Sequence, residues 1–229
     1  MNQTDLIILV VYLISITYVI YQAINSLEER TVIRFDQAAL AQFLEQEKIA
    51  DVSLNNFIDI SFGIQGRYKF SQQPATLGTI IQNKSRTATV SIDWDNSSIT
   101  NHAGRVRRVI RLTPGLQPSD LSEPQVKSTI PPSRNLQATL VPEDLLKPNA
   151  DNTGVVTNGA IVSMAEVEKD KGTYAKFRER QTALQFSLRL LFQIINVTDG
   201  AKREYWCFVP CTFVIEKISQ MDYLPWNPK

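Results

Sequence analysis

Leu184-Gln185-Phe186-Ser187-Leu188-Arg189-Leu190-Leu191-Phe192-Gln193-Ile194 carries an apolar side chain at every second position from Leu184 to Ile194. Successive side chains on a strand point to opposite faces, so this period of two predicts a β-strand with one face in a core. Gln185, Ser187, Arg189 and Gln193 fall on the other face, toward water. Tyr205, Cys207, Val209, Cys211, Phe213 and Ile215 repeat the alternation, and Asp199-Gly200 between the two runs is a turn pair. A long hairpin central to a sheet is therefore expected. Pro210 has no N–H to give a ladder, which predicts a bulge or an unpaired flank at that position.

Upstream, Val52-Ser53-Leu54, Ile58–Phe62 and Thr87–Trp94 alternate in the same way. Ala88, Val90, Ile92 and Trp94 share one face, and Thr87, Thr89, Ser91 and Asp93 share the other. Leu77–Ile81 precedes a polar cluster, Gln82-Asn83-Lys84-Ser85, so it is expected to form a hairpin with the Thr87 strand; Asp95-Asn96-Ser97-Ser98 reads as the next turn. Arg105–Leu112 is a basic strand, expected at a sheet edge where charge discourages pairing with other sheets. Prolines 114, 118, 124, 131, 132, 142 and 148 exclude a long helix between them, with Leu136–Val141 as one strand inside that region. Asn149–Gly159 and Glu166–Gly172 read as mobile loops, Ile161–Met164 as a short edge strand, and Tyr174–Arg180 as a helical turn at most.

Strands joined by turns, with no alternating helix pattern, predict a mainly β protein: an antiparallel β-sandwich of immunoglobulin-like architecture. The Cys-Trp-Cys spacing of antibody-type domains is absent from the sequence. One short amphipathic helix is expected after the N-cap residue Asp36, with Leu40, Phe43 and Leu44 on its apolar side.

Leu6–Ile24 contains no charged residue. As a helix of about 19 residues it would reach roughly 28 Å, the thickness of a hydrocarbon core. A retained transmembrane helix is expected rather than a cleaved signal peptide, because no Lys or Arg precedes the run and no A-x-A pair follows it. Arg30 and Arg34 on its C-terminal side favour a cytoplasmic domain. The expected organisation is a membrane anchor over residues 1–30, a juxtamembrane linker with the short helix over 31–50, a β-sandwich over 51–220 that folds from about Ala50 onward, and a tail over 221–229.

With 24 basic and 23 acidic residues in 229 and a pI of about 7.7, the chain has no bulk field to attract nucleic acid. Cys207 and Cys211 are too few for a disulfide scaffold or a zinc site, and no phosphate-binding glycine motif occurs. His102 stands alone in a polar turn. Asp93 and Asp95 flank Trp94 at a strand end, a pair that hydrolysis or calcium binding would need to extend. Asn83, Asn96 and Asn196 are glycosylation sequons that matter only in a lumenal setting.

No catalytic, cofactor or metal residue is assigned from sequence. Arg105, Arg107 and Arg111, sharing one strand face, are the candidates for touching anionic lipid or a protein partner. The function expected is a non-enzymatic interaction module on a single-pass anchor, an assembly factor, accessory subunit or adaptor with a protein partner in the membrane. The alternative is a membrane-tethered enzyme, a hydrolase whose site the sequence does not reveal.

Overall fold

The computed structural model describes residues 3–25, 29–49, 51–64, 66–198 and 201–219. In chain order the elements are α1 (Gln3–Asn25), β1 (Arg30–Phe35), α2 (Gln37–Gln46), β2 (Lys48–Ile49), β3 (Val52–Ser53), β4 (Ile58–Gly63) and β5 (Arg67–Lys69). Next come β6 (Leu77–Asn83), β7 (Thr89–Thr100), β8 (Val106–Leu112), β9 (Ser128–Ile130), β10 (Asn135–Pro142), β11 (Leu146–Pro148) and β12 (Val155–Thr157). Two helices, α3 (Met164–Lys169) and α4 (Lys171–Arg178), precede β13 (Leu184–Thr198) and β14 (Ala201–Lys217).

The hairpin of β13 and β14 organises the fold. Its register runs unbroken from Leu184↔Ile215 to Thr198↔Ala201, and the expected inward residues from Leu184 to Ile194 are all buried. The turn pair Asp199-Gly200 and the tail over 221–229 lie outside the described residues. Pro210 is tolerated for a geometric reason. Thr212 turns its carbonyl to the β1 side, where it accepts from the Asp36 N–H at 2.9 Å. Pro210, two residues away, has the same orientation but lies past the end of β1, whose last partner is Phe213. Its missing N–H therefore costs no ladder bond.

Around this hairpin the ladders run β4-β6-β10-β8-β7-β13-β14-β1-β5, with β9 also on β7, and every pairing among the described residues is antiparallel. Strand β8 belongs to two ladders: Val106–Arg108 pair with β7 and Val109–Leu112 with β10. Hydrogen bonding thus links ten strands in one curled sheet, where the sequence led us to expect two sheets stacked as an immunoglobulin-like sandwich. The two ends of the sheet meet. Phe62 of β4 packs edge-on against Phe35 of β1 and Phe213 of β14 at 4.7 and 4.9 Å, and the Ile33 N–H reaches the Gly66 carbonyl beside β5 at 3.2 Å.

Several expectations are corrected. The segment over 31–50 is not a linker, because Ile33 of β1 and Leu40 and Leu44 of α2 are buried in the main core. Helix α2 itself forms as expected, its N-cap Asp36 accepting from the Ala39 N–H at 2.9 Å. Strand β6 pairs with β4 and β10 rather than forming a hairpin with β7. The polar cluster after it is used to cross the fold: buried Asn83 donates to the carbonyls of Ala88 and Ile130 at 2.8 and 3.0 Å. Strand β7 runs on to Thr100 through the residues read as a turn, and Ser97 there accepts from the Leu191 N–H at 3.1 Å where the β7–β13 register shifts. The Glu166–Gly172 loop is helical, and Ile161 and Val162 are buried without forming a strand.

A chain beginning at Glu29 is expected to be soluble and to unfold cooperatively, whereas one beginning at Asp51 loses β1 and α2 and aggregates; solubility and thermal unfolding separate the two. In the Glu29 chain, Phe192→Ala removes a side chain with no exposure and should cost about 3–5 kcal/mol in urea unfolding. A loss under about 1 kcal/mol would overturn the assignment of the inward face.

Candidate functional site

His102 sits at the tip of the β7–β8 hairpin. Asn101 shapes that turn: its side-chain oxygen accepts from the N–H groups of Ala103 and Arg105 at 3.1 and 2.9 Å, and Gly104 takes φ +78°. Across a cleft of about 550 Å³, the ring faces Glu166 of α3, Asp170 and Thr173 at the start of α4, and the Ala183–Gln185 run that opens β13. This is the assembly that sequence reading missed, because the acids lie more than sixty residues from His102. The legible signal is Asp170 itself, an N-cap residue type that opens Lys171–Arg178 and accepts from the Gly172 and Thr173 N–H groups.

The chemistry of the cleft is set by which atoms are already engaged. Asp170 accepts from the Thr173 hydroxyl at 2.6 Å and from the N–H groups of Gly172 and Thr173 at 3.2 and 3.3 Å. Those bonds, the Thr173 ones foremost, hold its carboxyl below the usual range. His102 is pushed down by burial; Glu166 and Asp170 oppose that shift, and Arg107 adds to it. Its Nδ1 is enclosed and has no hydrogen-bond partner. A neutral imidazole is thus favoured, in a cleft whose other polar side chains are the acids Glu166 and Asp170, the Thr173 hydroxyl and the Gln185 amide.

The three candidate arginines do not form a common exposed face. Strand β8 is interior, not an edge. Arg107 points inward and is 8% exposed; its guanidinium donates to the Ile161 carbonyl and lies 3.5 Å from Asp144, while its Nε has no partner. Burial lowers its affinity for the proton, with Asp144 opposing. Arg105 is exposed and 3.7 Å from the same Asp144. Arg111 is half-buried, its backbone N–H donating to the Gln125 side chain at 2.9 Å. Arg108, which interrupts the face, is spent on Asp95, Glu143 and the carbonyls of Leu121 and Glu123.

Asp93 and Asp95 are likewise structural and separate. Burial raises the Asp93 carboxyl, but Lys127 at 3.2 Å and the Asn96 N–H outweigh it and leave it lowered. Asp95 accepts from the Gln125 N–H at 2.8 Å and from Arg108. Among the described residues no group of three His, Cys, Asp or Glu comes together as a metal site. Cys207 and Cys211 are free, share the inward face of β14, and are pushed up to about 12 by burial, with Glu47 contributing at Cys207. Four residues of regular strand separate them by roughly 13 Å, beyond disulfide reach. Asn83 is fully buried, so its sequon is closed in the folded chain, whereas Asn96 is exposed and Asn196 half-buried.

The lowered His102 pKa has a definite consequence for stability. Between the folded value and the usual 6.5 the unfolded chain binds the proton more tightly, so stability rises with pH. The contribution is complete above the unfolded value and is lost as pH falls through the folded one. On going from about pH 7.5 to about pH 5.5, the native chain should therefore lose more thermal stability than His102→Gln. Parallel losses in the two chains would show that His102 burial is not responsible.

No family model and no curated protein matches this sequence. Among solved structures, a crystal structure of a protein from Archaeoglobus fulgidus aligns over 69% of this chain and 94% of its own, at 6% identity and a TM-score of 0.25. A likeness at that level carries no argument about fold or activity.

Proposed function

We propose that this chain is a single-pass membrane protein whose β domain acts as a non-enzymatic protein-interaction module, in the role of an assembly factor, accessory subunit or adaptor. The observation that carries the reading is the junction between helix and domain. Over Asp5–Gln22, α1 has a mean hydropathy of 1.9, is long enough to span a bilayer, and has none of its surface covered by the domain. The domain is fixed from Glu29 onward: its carboxylate bonds Lys217 at 2.8 Å and lies 3.7 Å from Arg178, and its carbonyl accepts from Phe70 at 2.7 Å. Between Asn25 and Glu29 the chain reaches at most about 14 Å. A retained helix of this kind holds the sheet against the headgroups.

The interaction role is supported by the outer face of β14. Trp206 and Phe208 are 49% and 40% exposed, with Lys127 and Arg189 over their rings at 4.4 and 4.2 Å. Exposed aromatics paired with cations are the side chains that anchor protein interfaces. This face takes over the role that the sequence reading gave to Arg105, Arg107 and Arg111. Arms of the curled sheet on either side of β8 enclose one core, and we read them as the equivalent of a sandwich. Arg30 and Arg34 favour the cytoplasmic side.

A membrane-tethered hydrolase is the second reading, and the His102 cleft is the observation in its favour. Against it, the Thr173 hydroxyl is directed at Asp170 rather than at His102. Carbonate extraction with intact mass should find the full chain in membranes with α1 retained; a soluble chain starting near Ser26 overturns the anchor. In gentle detergent, the native chain should co-migrate with a protein partner that the Trp206→Ala, Phe208→Ala double variant releases. Migration of the native chain free of any partner would overturn the interaction role.

A further inference from the structure

On the membrane-spanning reading above, α1 has a face that the domain leaves bare. Ile8, Val11, Ser15, Tyr18 and Gln22 are spaced alternately by three and four residues. At 100° per residue they fall within an arc of about 80°. That is the spacing of a seam between two helices. Outside the arc the middle of the helix is mostly Leu, Ile and Val, and the Thr17 hydroxyl there is turned back onto the Leu13 carbonyl at 2.8 Å.

Apolar area does not drive helices together in lipid, because the tails are as apolar as the side chains; hydrogen bonds and packing do. The seam holds a preformed unit for such bonds. Gln22 Nε2 donates to the Tyr18 hydroxyl oxygen at 2.8 Å. That bond leaves the Tyr18 O–H proton and the second Gln22 N–H to give and the Gln22 side-chain carbonyl to accept, and none of these has another partner among the described residues.

We infer that α1 pairs in parallel with α1 of a second copy of this chain through the Ile8–Gln22 seam, each Tyr18 hydroxyl donating to the Gln22 carbonyl of the other copy. Two features select a second copy over an unrelated helix. All copies enter the membrane the same way round, so like residues meet at like depth. A twofold axis along the bilayer normal then makes the bond reciprocal, one donor and one acceptor from each chain. Ser15, nearer the middle, packs against itself and lets the backbones approach.

The full-length chain in native membranes tests this through oxidative cross-linking of single cysteines on the seam (Ile8→Cys, Val11→Cys) and away from it (Leu9→Cys, Leu13→Cys). Cys207 and Cys211 are buried and stay silent. Dimer bands are expected for the first pair and not the second. Adding Tyr18→Phe and Gln22→Leu to the Val11→Cys chain should weaken association on the order of tenfold. Equal cross-linking at all four positions, a cross-linked product whose mass is not twice that of the chain, or indifference to the Tyr18 and Gln22 changes would overturn the seam. Carbonate extraction of the same membranes separates the two failures. Retention without the seam pattern removes this inference alone, and release of the chain removes the anchor and the seam together.

Discussion

Phe213 holds the sheet closed. Its ring stacks on Phe186 of β13 at 4.6 Å, meets Phe62 of β4 edge-on at 4.9 Å, and touches Phe35 of β1 at 5.2 Å. Four strands from both ends of the sheet order meet at one aromatic cluster, and Phe35 and Phe62 complete it through their own contact. Curling brings the end strands together, and the short connection from β4 to β5 then ties them covalently. Without that cluster β4 would be an exposed, partly apolar edge of the kind that templates aggregation. With it, that edge is turned onto the core.

Buried polar groups reinforce the short pairings and crossings between the long strands. Trp94, fully buried, donates its indole N–H to Ser128 at 2.9 Å, and Ser91 meets Thr129 at 3.1 Å. Those bonds fix β9 against β7 in the proline-rich stretch that offers few backbone donors of its own. Arg107 does the same for the approach to α3 by gripping the Ile161 carbonyl from inside. Such groups are costly if left unpaired, so each of these crossings has one well-defined path. The His102 cleft exists because that path sets α3 and α4 beside the β7–β8 turn.

What the sequence made legible was local. Alternation over Leu184–Ile194 and Thr87–Trp94 identified the strands and their core faces, since burial of one face imposes the period directly. Pairing was less legible. Leu77–Ile81 and Thr87–Trp94 are adjacent in the chain and separated by a turn-like cluster, yet Asn83 uses that cluster to cross between ladders. Strand β1 is too short to show a period, so its residues from Thr31 read as the start of a juxtamembrane linker. Arg107 defied its residue type: an arginine on an alternating strand belongs in water unless an acid waits inside, and Asp144 lies thirty-seven positions away. The helical Glu166–Gly172 segment was hidden because its two short helices depend on tertiary contact rather than on an apolar stripe. No local pattern encodes the meeting of His102 with Glu166 and Asp170.

The placement of β1 also determines how a pull on the N-terminal helix enters the domain. The strand lies between β14 and β5, antiparallel to both, and its first residue is the point where the load arrives. A pull on Arg30 directed along β1 loads the whole strand. Its ladder to β14, from Thr31 to Phe35, is loaded in shear, with the backbone bonds sharing the tension at once instead of peeling one by one. Lys217 and Arg178 grip Glu29 just ahead of that ladder and take the first part of the strain. Loaded along that axis the strand resists extraction, and it yields more readily when peeled from the side.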